Sequence, residues 1–163
     1  MNLPSFFGKA KSQSATNKAF LNKLKSKRFR NLDDVFHTAH EEAFEEIDCL
    51  TCANCCKTTS PIFYQKDIER VAKRLRMKPF EFIETYLRID EDNDYVLRQA
   101  PCPFLGNDNY CNVYEDRPTA CREYPHTDRK NMYQILDLTY KNTLVCPAVL
   151  KIVEDVKQKL DKI

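Results

Sequence analysis

The feature that most constrains this chain is a run of four cysteines within eight residues, CLTCANCC from Cys49 to Cys56. Four more cysteines follow singly, at Cys102, Cys111, Cys121 and Cys146. A thiolate is the ligand that zinc, iron and iron–sulfur clusters share, and eight thiolates match two four-sulfur sites or one multi-iron cluster with cysteines to spare. We therefore predict that Cys49, Cys52, Cys55, Cys56, Cys102, Cys111, Cys121 and Cys146 are metal ligands around which the chain folds.

The expected cellular compartment favours metal over disulfide bonds. The N-terminus lacks the apolar segment of a signal peptide, because Lys9 and Lys11 follow its few apolar residues at once, and no apolar run is long enough to cross a bilayer. We therefore expect a cytoplasmic protein, whose thiols are kept reduced. Neighbouring Cys55 and Cys56 also fit disulfide geometry poorly, since a bridge between adjacent residues strains the peptide between them.

The cysteine spacing leaves the metal open between zinc and iron. Three cysteines at C-x2-C-x2-C spacing with a remote Cys-Pro are typical of ferredoxin-type iron–sulfur clusters, and Cys102-Pro103 and Cys146-Pro147 are such remote candidates. The same C-x2-C pair is equally typical of zinc sites. Because successive side chains point in different directions, Cys55 and Cys56 are expected to serve two metals, or to be one ligand and one reactive thiol.

Other residues near the cysteines are secondary candidates. Lys57, Arg117 and Arg122 lie beside cysteines and can offset thiolate charge or donate hydrogen bonds to sulfur. His126 follows Cys121 closely and is a reserve ligand. His37 and His40 lie three residues apart on a predicted helix, and we interpret them as surface or core-edge residues, because the cysteines already supply enough soft ligands.

The charges are unevenly distributed. Residues 1–30 carry eight Lys or Arg and no acid, whereas residues 31–50 carry seven Asp or Glu and no Lys or Arg. A basic arm of this kind can contact nucleic acid. The interpretation we favour is a solvated helix that pairs with its acidic neighbour. No nucleic-acid or membrane partner is expected, and the sequence identifies no protein partner.

The predicted fold class is mainly α with a small β-hairpin, in a compact cysteine-rich metal-binding domain. Two parts are expected, a basic N-terminal arm or helix over residues 1–30 and a cysteine-cluster metal-binding domain over residues 31–163. Within them, 1–16 are expected to be a poorly ordered tail. Helices are predicted over 17–30, 33–47, 66–76, 79–88, 131–142 and from 147 onward, a helical turn over 117–125, and strands over 95–99 and 111–114.

A set of motifs beyond the first cysteine run makes the chain recognisable. These motifs are Pro101-Cys102-Pro103-Phe104-Leu105, Cys111-x-Val113-Tyr114-Glu115-x-Arg117-Pro118, Ala120-Cys121-Arg122-x-Tyr124-Pro125 and Cys146-Pro147. Over roughly residues 45–150 the chain resembles the CxxCxxCC cysteine-cluster family, also called YkgJ-type, whose domains are described as zinc- or iron-chelating. The resemblance implies metal chelation by the eight matching cysteines. Ala53 stands where the family's run often has Gly.

Three functions follow as hypotheses. The first is a metal-binding protein whose zinc or iron is held by the cysteine thiolates and stabilises the fold. The second is an iron–sulfur protein with redox or protein-modification activity, which requires an open coordination position or a reactive thiolate. The third is a nucleic-acid or protein adaptor that uses the basic arm, and it ranks last because no aromatic residues interleave a basic surface.

Overall fold

The computed structural model describes residues 2–27 and 29–161, which form a mainly α-helical fold with a small three-stranded antiparallel sheet. The helices are α1 (Leu3–Ser26), α2 (Leu32–Glu46), α3 (Asn54–Thr58), α4 (Gln65–Arg74), α5 (Pro79–Tyr86), α6 (Thr119–Glu123), α7 (Leu136–Thr143) and α8 (Pro147–Leu160). The strands are β1 (Ile62–Phe63), β2 (Leu87–Ile89) and β3 (Tyr95–Leu97). Short 3-10 helices cover Cys49–Thr51, Tyr114–Asp116 and Met132–Ile135.

The chain divides into two compact units. The first, here called the helical unit, comprises residues 1–52 and 125–163, and the second, the cysteine unit, comprises residues 53–124. Within the helical unit, α2 packs along α8 and α1 packs on α7 and α8. These helices bury one shared apolar core, formed by Leu21, Leu24, Leu32, Val35, Phe36, Ala39, Ala43, Met132, Leu136, Val149, Ile152, Val153 and Val156.

The N-terminal segment is helical, so the expected tail over residues 1–16 is wrong. Helix α1 begins at Leu3, where the side chain of Asn2 accepts a hydrogen bond from the Ser5 N–H at 3.1 Å and a proline occupies the first turn. Both features are typical helix starts. Phe6 and Ala10 are buried with Leu150 of α8, which anchors this end of the helix.

The basic residues of α1 form ion pairs inside the helical unit. Lys9 Nζ lies 2.8 Å from Glu154 of α8, and Lys25 pairs with Asp137 of α7. The acidic residues of α2 form ion pairs with lysines of α8, namely Glu42 with Lys159 and Glu46 with Lys151. Among the described residues these ion pairs of α1 therefore lead to α7 and α8 and not, as expected, to the acidic segment that follows it.

The cysteine unit is built on the sheet, whose strand order is β1-β3-β2. Antiparallel pairing aligns Ile62 with Val96 and Leu87 with Leu97. Its apolar core is separate from that of the helical unit and consists of Phe63, Ile68, Val71, Ala72, Phe82, Leu87, Leu97, Phe104 and Val113.

The expected strand over 95–99 is confirmed as β3, whereas the expected strand over 111–114 is wrong. β3 pairs with β2 across an acidic turn, in which the Asp90 N–H donates to the Asp94 carbonyl at 3.0 Å, and with β1. The segment 111–114 is not a strand. Cys111 forms a single bridge with Leu105, and a 3-10 helix begins at Tyr114, because the tight turn after Leu105 leaves no length for a ladder.

The helix predicted over 17–30 overlaps the second half of α1, which ends at Ser26. The other predicted helices correspond to α2, α4, α5, α6, α7 and α8, and their ends differ from the predicted ones by a few residues. Among these, the largest difference is at the start of the helix predicted over 131–142, where residues 132–135 form a 3-10 helix and α7 begins at Leu136. Residues 87–88 leave α5 and begin β2. The last predicted apolar position, Ile163, lies outside the described residues.

Across residues 2–27 and 29–161, no helix combines the length and the apolar character that crossing a bilayer requires.

Candidate metal centre

The two units divide the cysteines unequally. Cys55, Cys56, Cys102, Cys111 and Cys121 belong to the cysteine unit, and Cys49, Cys52 and Cys146 belong to the helical unit. All eight are thiols, with no disulfide bond between any two of them in the described chain. The cysteine unit therefore contains more than the four sulfurs that one tetrahedral site takes.

Cys55 and Cys56 lie side by side in the short helix α3. Their sulfur atoms are 3.9 Å apart. The hydrogen bond from the Cys55 thiol lowers the pKa of Cys56 to about 7, against the opposing effect of burial, and the positive charge of Lys57 lowers it further. The pKa of the Cys56 thiol is therefore held well below its ordinary value by its immediate neighbours.

Ala53 precedes this helix in an unusual backbone conformation. Its φ of 47° and ψ of 23° are left-handed, and its carbonyl accepts from the Lys57 N–H at 3.1 Å to start α3. Glycine adopts this conformation without steric penalty, whereas residues with a Cβ do not. The glycine that often stands at this position in the resembled family is thus explained by the local backbone, and Ala53 tolerates the same conformation at some cost.

Cys102 is tied to Cys56 through the main chain, since its N–H donates to the Cys56 carbonyl oxygen at 2.8 Å. Backbone hydrogen bonds from Phe104 and Leu105 reach the Cys102 sulfur. Burial raises the pKa of the Cys102 thiol to about 11, and the nearby charges of Cys56 and Cys111 act in the same direction, while the backbone N–H groups oppose them. N–H groups aimed at a sulfur stabilise it once it is deprotonated.

A tight turn returns the chain from Cys102 to Cys111. The Asn109 N–H donates to the Gly106 carbonyl at 3.1 Å, and the Asn112 N–H donates to the Phe104 carbonyl at 2.8 Å. A backbone hydrogen bond from Val113 reaches the Cys111 sulfur. Burial raises the pKa of Cys111, and the positive charge of Arg117 partly offsets that effect.

Cys121 completes this group from α6, where its N–H donates to the Pro118 carbonyl at 2.9 Å. Burial raises the pKa of Cys121 to about 12, and the charges of Cys56, Cys102 and Cys111 raise it further. Electrostatic interactions of this kind fall off with distance. The four thiols Cys56, Cys102, Cys111 and Cys121 therefore form one interacting group inside the cysteine unit.

The segment between Cys111 and Cys121 is held by charged residues that the sequence motifs did not single out. On α4, Asp67 accepts hydrogen bonds from the N–H and the hydroxyl of Thr119, and Arg70 donates to the carbonyl oxygens of Asp116 and Arg117. The only sequence signal was that Asp67 and Arg70 both lie on the strongly amphipathic helix predicted over 66–76.

The cations beside the cysteines have different roles. The guanidinium of Arg117 lies 3.8 Å from the centre of the Tyr114 ring, and its charge lowers the pKa of Cys111 and Cys121. Lys57 acts on Cys56 in the same way. Arg122 instead donates to the Arg117 carbonyl at 3.1 Å, so it holds the loop.

The three cysteines of the helical unit are placed by short main-chain features. Cys49 is exposed and opens a 3-10 helix, in which the Cys52 N–H donates to the Cys49 carbonyl at 3.0 Å. Cys52 is buried. Cys146 is half-buried and precedes α8, where its carbonyl accepts from the Leu150 N–H at 3.1 Å.

The histidines on α2 bind a loop of the helical unit. His37 Nε2 lies 2.9 Å from the Arg129 carbonyl, and His40 Nδ1 lies 2.8 Å from the Thr127 hydroxyl. Both contacts hold the 126–131 loop on α2, as expected of core-edge residues. In this loop His126 has a left-handed φ of 64°; its role as a reserve ligand stays a prediction.

The donor chemistry of the cysteine group suits zinc and iron. Four soft sulfur donors match a tetrahedral zinc or iron site, and nearby N–H groups and cations can balance the excess negative charge of four thiolates. As the side chains stand, however, no three His, Cys, Asp or Glu in the described ranges are arranged to hold a metal ion. The structure thus shows a cluster of suitable donors without ligand geometry.

A family model described as "CxxCxxCC: Putative zinc- or iron-chelating domain" matches residues 48–147. The match covers more than half of the chain and includes all eight cysteines. No curated protein and no solved structure gave a significant match.

Proposed function

Because the chain belongs to the CxxCxxCC family, we propose that it binds zinc or iron through its cysteine thiolates and that one four-sulfur site lies within residues 53–124. The ligands of this site are Cys56, Cys102, Cys111 and Cys121. The observation that carries the proposal is that one unit contains all four thiols, with the Cys102 N–H bonded to the Cys56 carbonyl and with Cys56, Cys102 and Cys111 close enough for their charges to raise the pKa of Cys121.

Three further features of the cysteine unit support the proposal. The N–H···S bonds at Cys102 and Cys111 place donors where a thiolate needs them. The charges of Lys57 and Arg117 partly offset the negative charge that four thiolates carry. The backbone bond between Cys102 and Cys56 holds the main chains of the first two cysteines beside each other. For a bound ion, the four sulfurs must approach one another more closely than they do here.

A bound ion would cross-link three segments of the cysteine unit. Cys56 lies on α3, Cys102 and Cys111 on the two sides of a tight turn, and Cys121 on α6. Because a preformed site rarely exists in an unfolded chain, the free energy of binding adds to the stability of the folded unit. We therefore assign the metal a structural role.

The remaining cysteines, Cys49, Cys52, Cys55 and Cys146, are proposed as further ligands. Their number allows a second metal equivalent or a larger cluster. The metal-to-protein ratio distinguishes a second metal equivalent from a larger cluster. If these cysteines bind a second metal, their substitution removes that metal and leaves the metal of the four-sulfur site bound.

The decisive experiment is elemental analysis with an optical spectrum of protein purified without air. A colourless protein with stoichiometric zinc identifies a zinc site, whereas a brown protein with visible absorption and inorganic sulfide identifies the iron–sulfur alternative. Replacement by Co²⁺ then reports thiolate ligation through sulfur-to-cobalt charge-transfer bands. A purified chain that holds neither metal, and that gives no such bands with Co²⁺, contradicts the proposal.

Metal binding by thiolates also favours a location of the protein in a reducing compartment. Eight thiols stay available to a metal only where disulfides do not form, and the cytoplasm is such a compartment. Thiol titration of the protein recovered from cells, with alkylating reagent added at lysis, tests this point. Extensive disulfide formation before lysis would contradict it.

A further inference from the structure

A partly buried ion pair lies on α4, a helix that carries no cysteine, and the Arg70 side chain of this pair is 31% exposed. The Asp67 side chain is 1% exposed, and its Oδ1 atom accepts from Arg70 Nη2 at 2.6 Å. Its Oδ2 atom accepts from the Tyr64 N–H at 3.1 Å, which caps the helix. A carboxylate buried without partners is strongly unfavourable, so these contacts are required for the charge to remain inside the fold.

The same carboxylate reaches the segment that carries Cys121. Asp67 Oδ1 accepts from the Thr119 N–H at 3.1 Å and from the Thr119 hydroxyl at 2.9 Å. Thr119 is the first residue of α6, and Cys121 follows it within the same short helix. One side chain of α4 thus fixes where α6 begins.

Arg70 holds the residues just before that point. Its Nε donates to the Asp116 carbonyl at 3.2 Å, and its Nη2 donates to the Arg117 carbonyl at 2.9 Å. These carbonyls lie between Cys111 and Cys121 in the chain. The planar fork of an arginine loses little freedom when it forms several hydrogen bonds, so it holds two successive carbonyls better than a lysine would.

The packing of α4 does not require a charged pair. Ile68, Val71 and Ala72 already anchor the helix in the core of the cysteine unit. Replacing a buried ion pair by apolar residues is often neutral or stabilising, so a buried pair is weak evidence for a role in stability alone. What this pair does specifically is fix residues 116–119 between two of the clustered thiols.

We propose that Asp67 and Arg70 are positioning residues for the four-sulfur site, which they serve by setting the separation of Cys111 and Cys121. The inference rests on the proposed metal binding. Neither side chain is a ligand, and both act through the backbone of the segment that joins the two cysteines.

The first test is Asp67→Asn, which keeps the shape of the side chain and removes its charge. Wild type and variant are titrated with Co²⁺ against a competing chelator after circular dichroism has shown that both are folded. We expect at least ~10-fold weaker binding, together with altered sulfur-to-cobalt charge-transfer bands, as for other residues that orient metal ligands. A folded variant that binds Co²⁺ with the affinity and spectrum of the wild type, and only melts earlier, overturns the proposal.

A matched pair of arginines on α4 gives the second test. Arg74 lies one turn after Arg70, is more than half exposed and lies 3.8 Å from the side chain of Asp116. Arg70→Gln should weaken Co²⁺ binding, and Arg74→Gln should not. Arg70→Lys keeps the positive charge but loses the planar guanidinium group that donates to two carbonyls, so its Co²⁺ binding should resemble that of Arg70→Gln. Equal effects of Arg70→Gln and Arg74→Gln, or full function of Arg70→Lys, would overturn the proposal.

A measurement without metal tests the positioning role of Asp67 and Arg70 separately from the proposed metal binding. In excess chelator, hydrogen exchange over residues 115–122 should be faster in Asp67→Asn and Arg70→Gln than in wild type, because the N–H of Thr119 and the loop lose their fixed partners. If wild type fails to bind Co²⁺, the proposed function fails and the inference with it. If wild type binds and the variants match it, the inference alone fails.

Discussion

The backbone N–H of Cys102 donates a hydrogen bond to the carbonyl oxygen of Cys56 at 2.8 Å. This bond joins the end of the CxxCxxCC run to the Pro-Cys-Pro segment by main-chain atoms alone. Because no side-chain atom takes part, substitution of either side chain leaves both partners of this bond in place. Variants of the thiols can accordingly be used to test metal binding without removing this bond.

Substitution of a single thiol in the four-sulfur group should remove tight metal binding. We expect Cys121→Ser to lower Co²⁺ affinity by at least ~100-fold and to weaken the sulfur-to-cobalt bands, because serine is a poor ligand for a thiolate site. The measurement is a Co²⁺ titration followed by absorption spectroscopy. Thr119→Ser is the control, since it keeps the hydroxyl that Asp67 accepts from and should bind like wild type. Unchanged binding by Cys121→Ser would exclude Cys121 as a ligand.

Alanine in place of each of the two glycines of the chain should have opposite effects on the free energy of unfolding. A Cβ on Gly106 would lie 2.6 Å from Asp108 Oδ1 and 3.2 Å from the Tyr110 carbonyl oxygen, both of which hold the turn before Cys111. Gly106→Ala should therefore lower the free energy of unfolding by about 1–3 kcal/mol, as overpacking does. Chemical denaturation measures this change.

The control for that turn is Gly8→Ala. Gly8 lies on the exposed side of α1, with no atom within 4 Å of an added Cβ. Alanine in a helix interior is favoured over glycine, so Gly8→Ala should raise the free energy of unfolding by up to about 1 kcal/mol. Equal effects of the two substitutions would show that the turn at Gly106 has room for a methyl group.

Ala53→Gly should stabilise the protein. The left-handed backbone at Ala53 costs a residue with a Cβ about 1–2 kcal/mol, and glycine gives back about 0.5–1 kcal/mol through its greater freedom in the unfolded chain. The net expectation is a gain of up to about 1 kcal/mol, measured by chemical denaturation. Ala19→Gly, on the exposed face of α1, should instead lose about 1 kcal/mol. A loss at both positions would contradict the strained backbone assigned to Ala53.

The stability that Asp67 contributes should disappear in acid. Burial alone would raise the pKa of this carboxyl, but the hydrogen bonds from Arg70, Thr119 and Tyr64 outweigh burial and hold the pKa below its ordinary value. Its contribution is therefore fully present above the unfolded-state pKa of about 4 and is lost as the pH falls through the lower folded-state pKa.

The corresponding measurement compares wild type with Asp67→Asn in excess chelator, so that metal loss does not contribute. The difference in free energy of unfolding should be constant from neutral pH to about pH 5 and should shrink below about pH 4. A difference that does not change between neutral and acidic pH would show that the charge of Asp67 adds nothing to folding.

The sequence predicted the helices with a clear apolar period and missed those without one. Ile68, Val71 and Ala72 gave α4 its regular stripe, and the structure buries all three. The first half of α1 was missed because residues 1–16 are rich in Ser, Lys and Ala and have few apolar residues, although Phe6 and Ala10 are buried. Its helical form depends on packing against α7 and α8, which no local pattern encodes.

For the candidate site, the sequence supplied the cysteines but not their grouping. Spacing within the run is local information, whereas the approach of Cys56 to Cys121 depends on the turn at Gly106 and on contacts from α4. The Asp67 and Arg70 interactions were equally invisible, because they join side chains to backbone groups distant in the chain. Such contacts leave no periodicity in the sequence.

The cysteine unit is one continuous segment inserted between the two segments of the helical unit, and this order has a consequence for biosynthesis. Residues 53–124 form an uninterrupted stretch with its own core, whereas the apolar face of α2 is covered only once α8, which follows residue 124 in the chain, has been synthesised. The proposed four-sulfur site, which lies within this stretch, should therefore be able to bind its ion before α7 and α8 have been synthesised. Nascent chains arrested once residue 124 has emerged should already protect Cys121 from alkylation when zinc or iron is supplied.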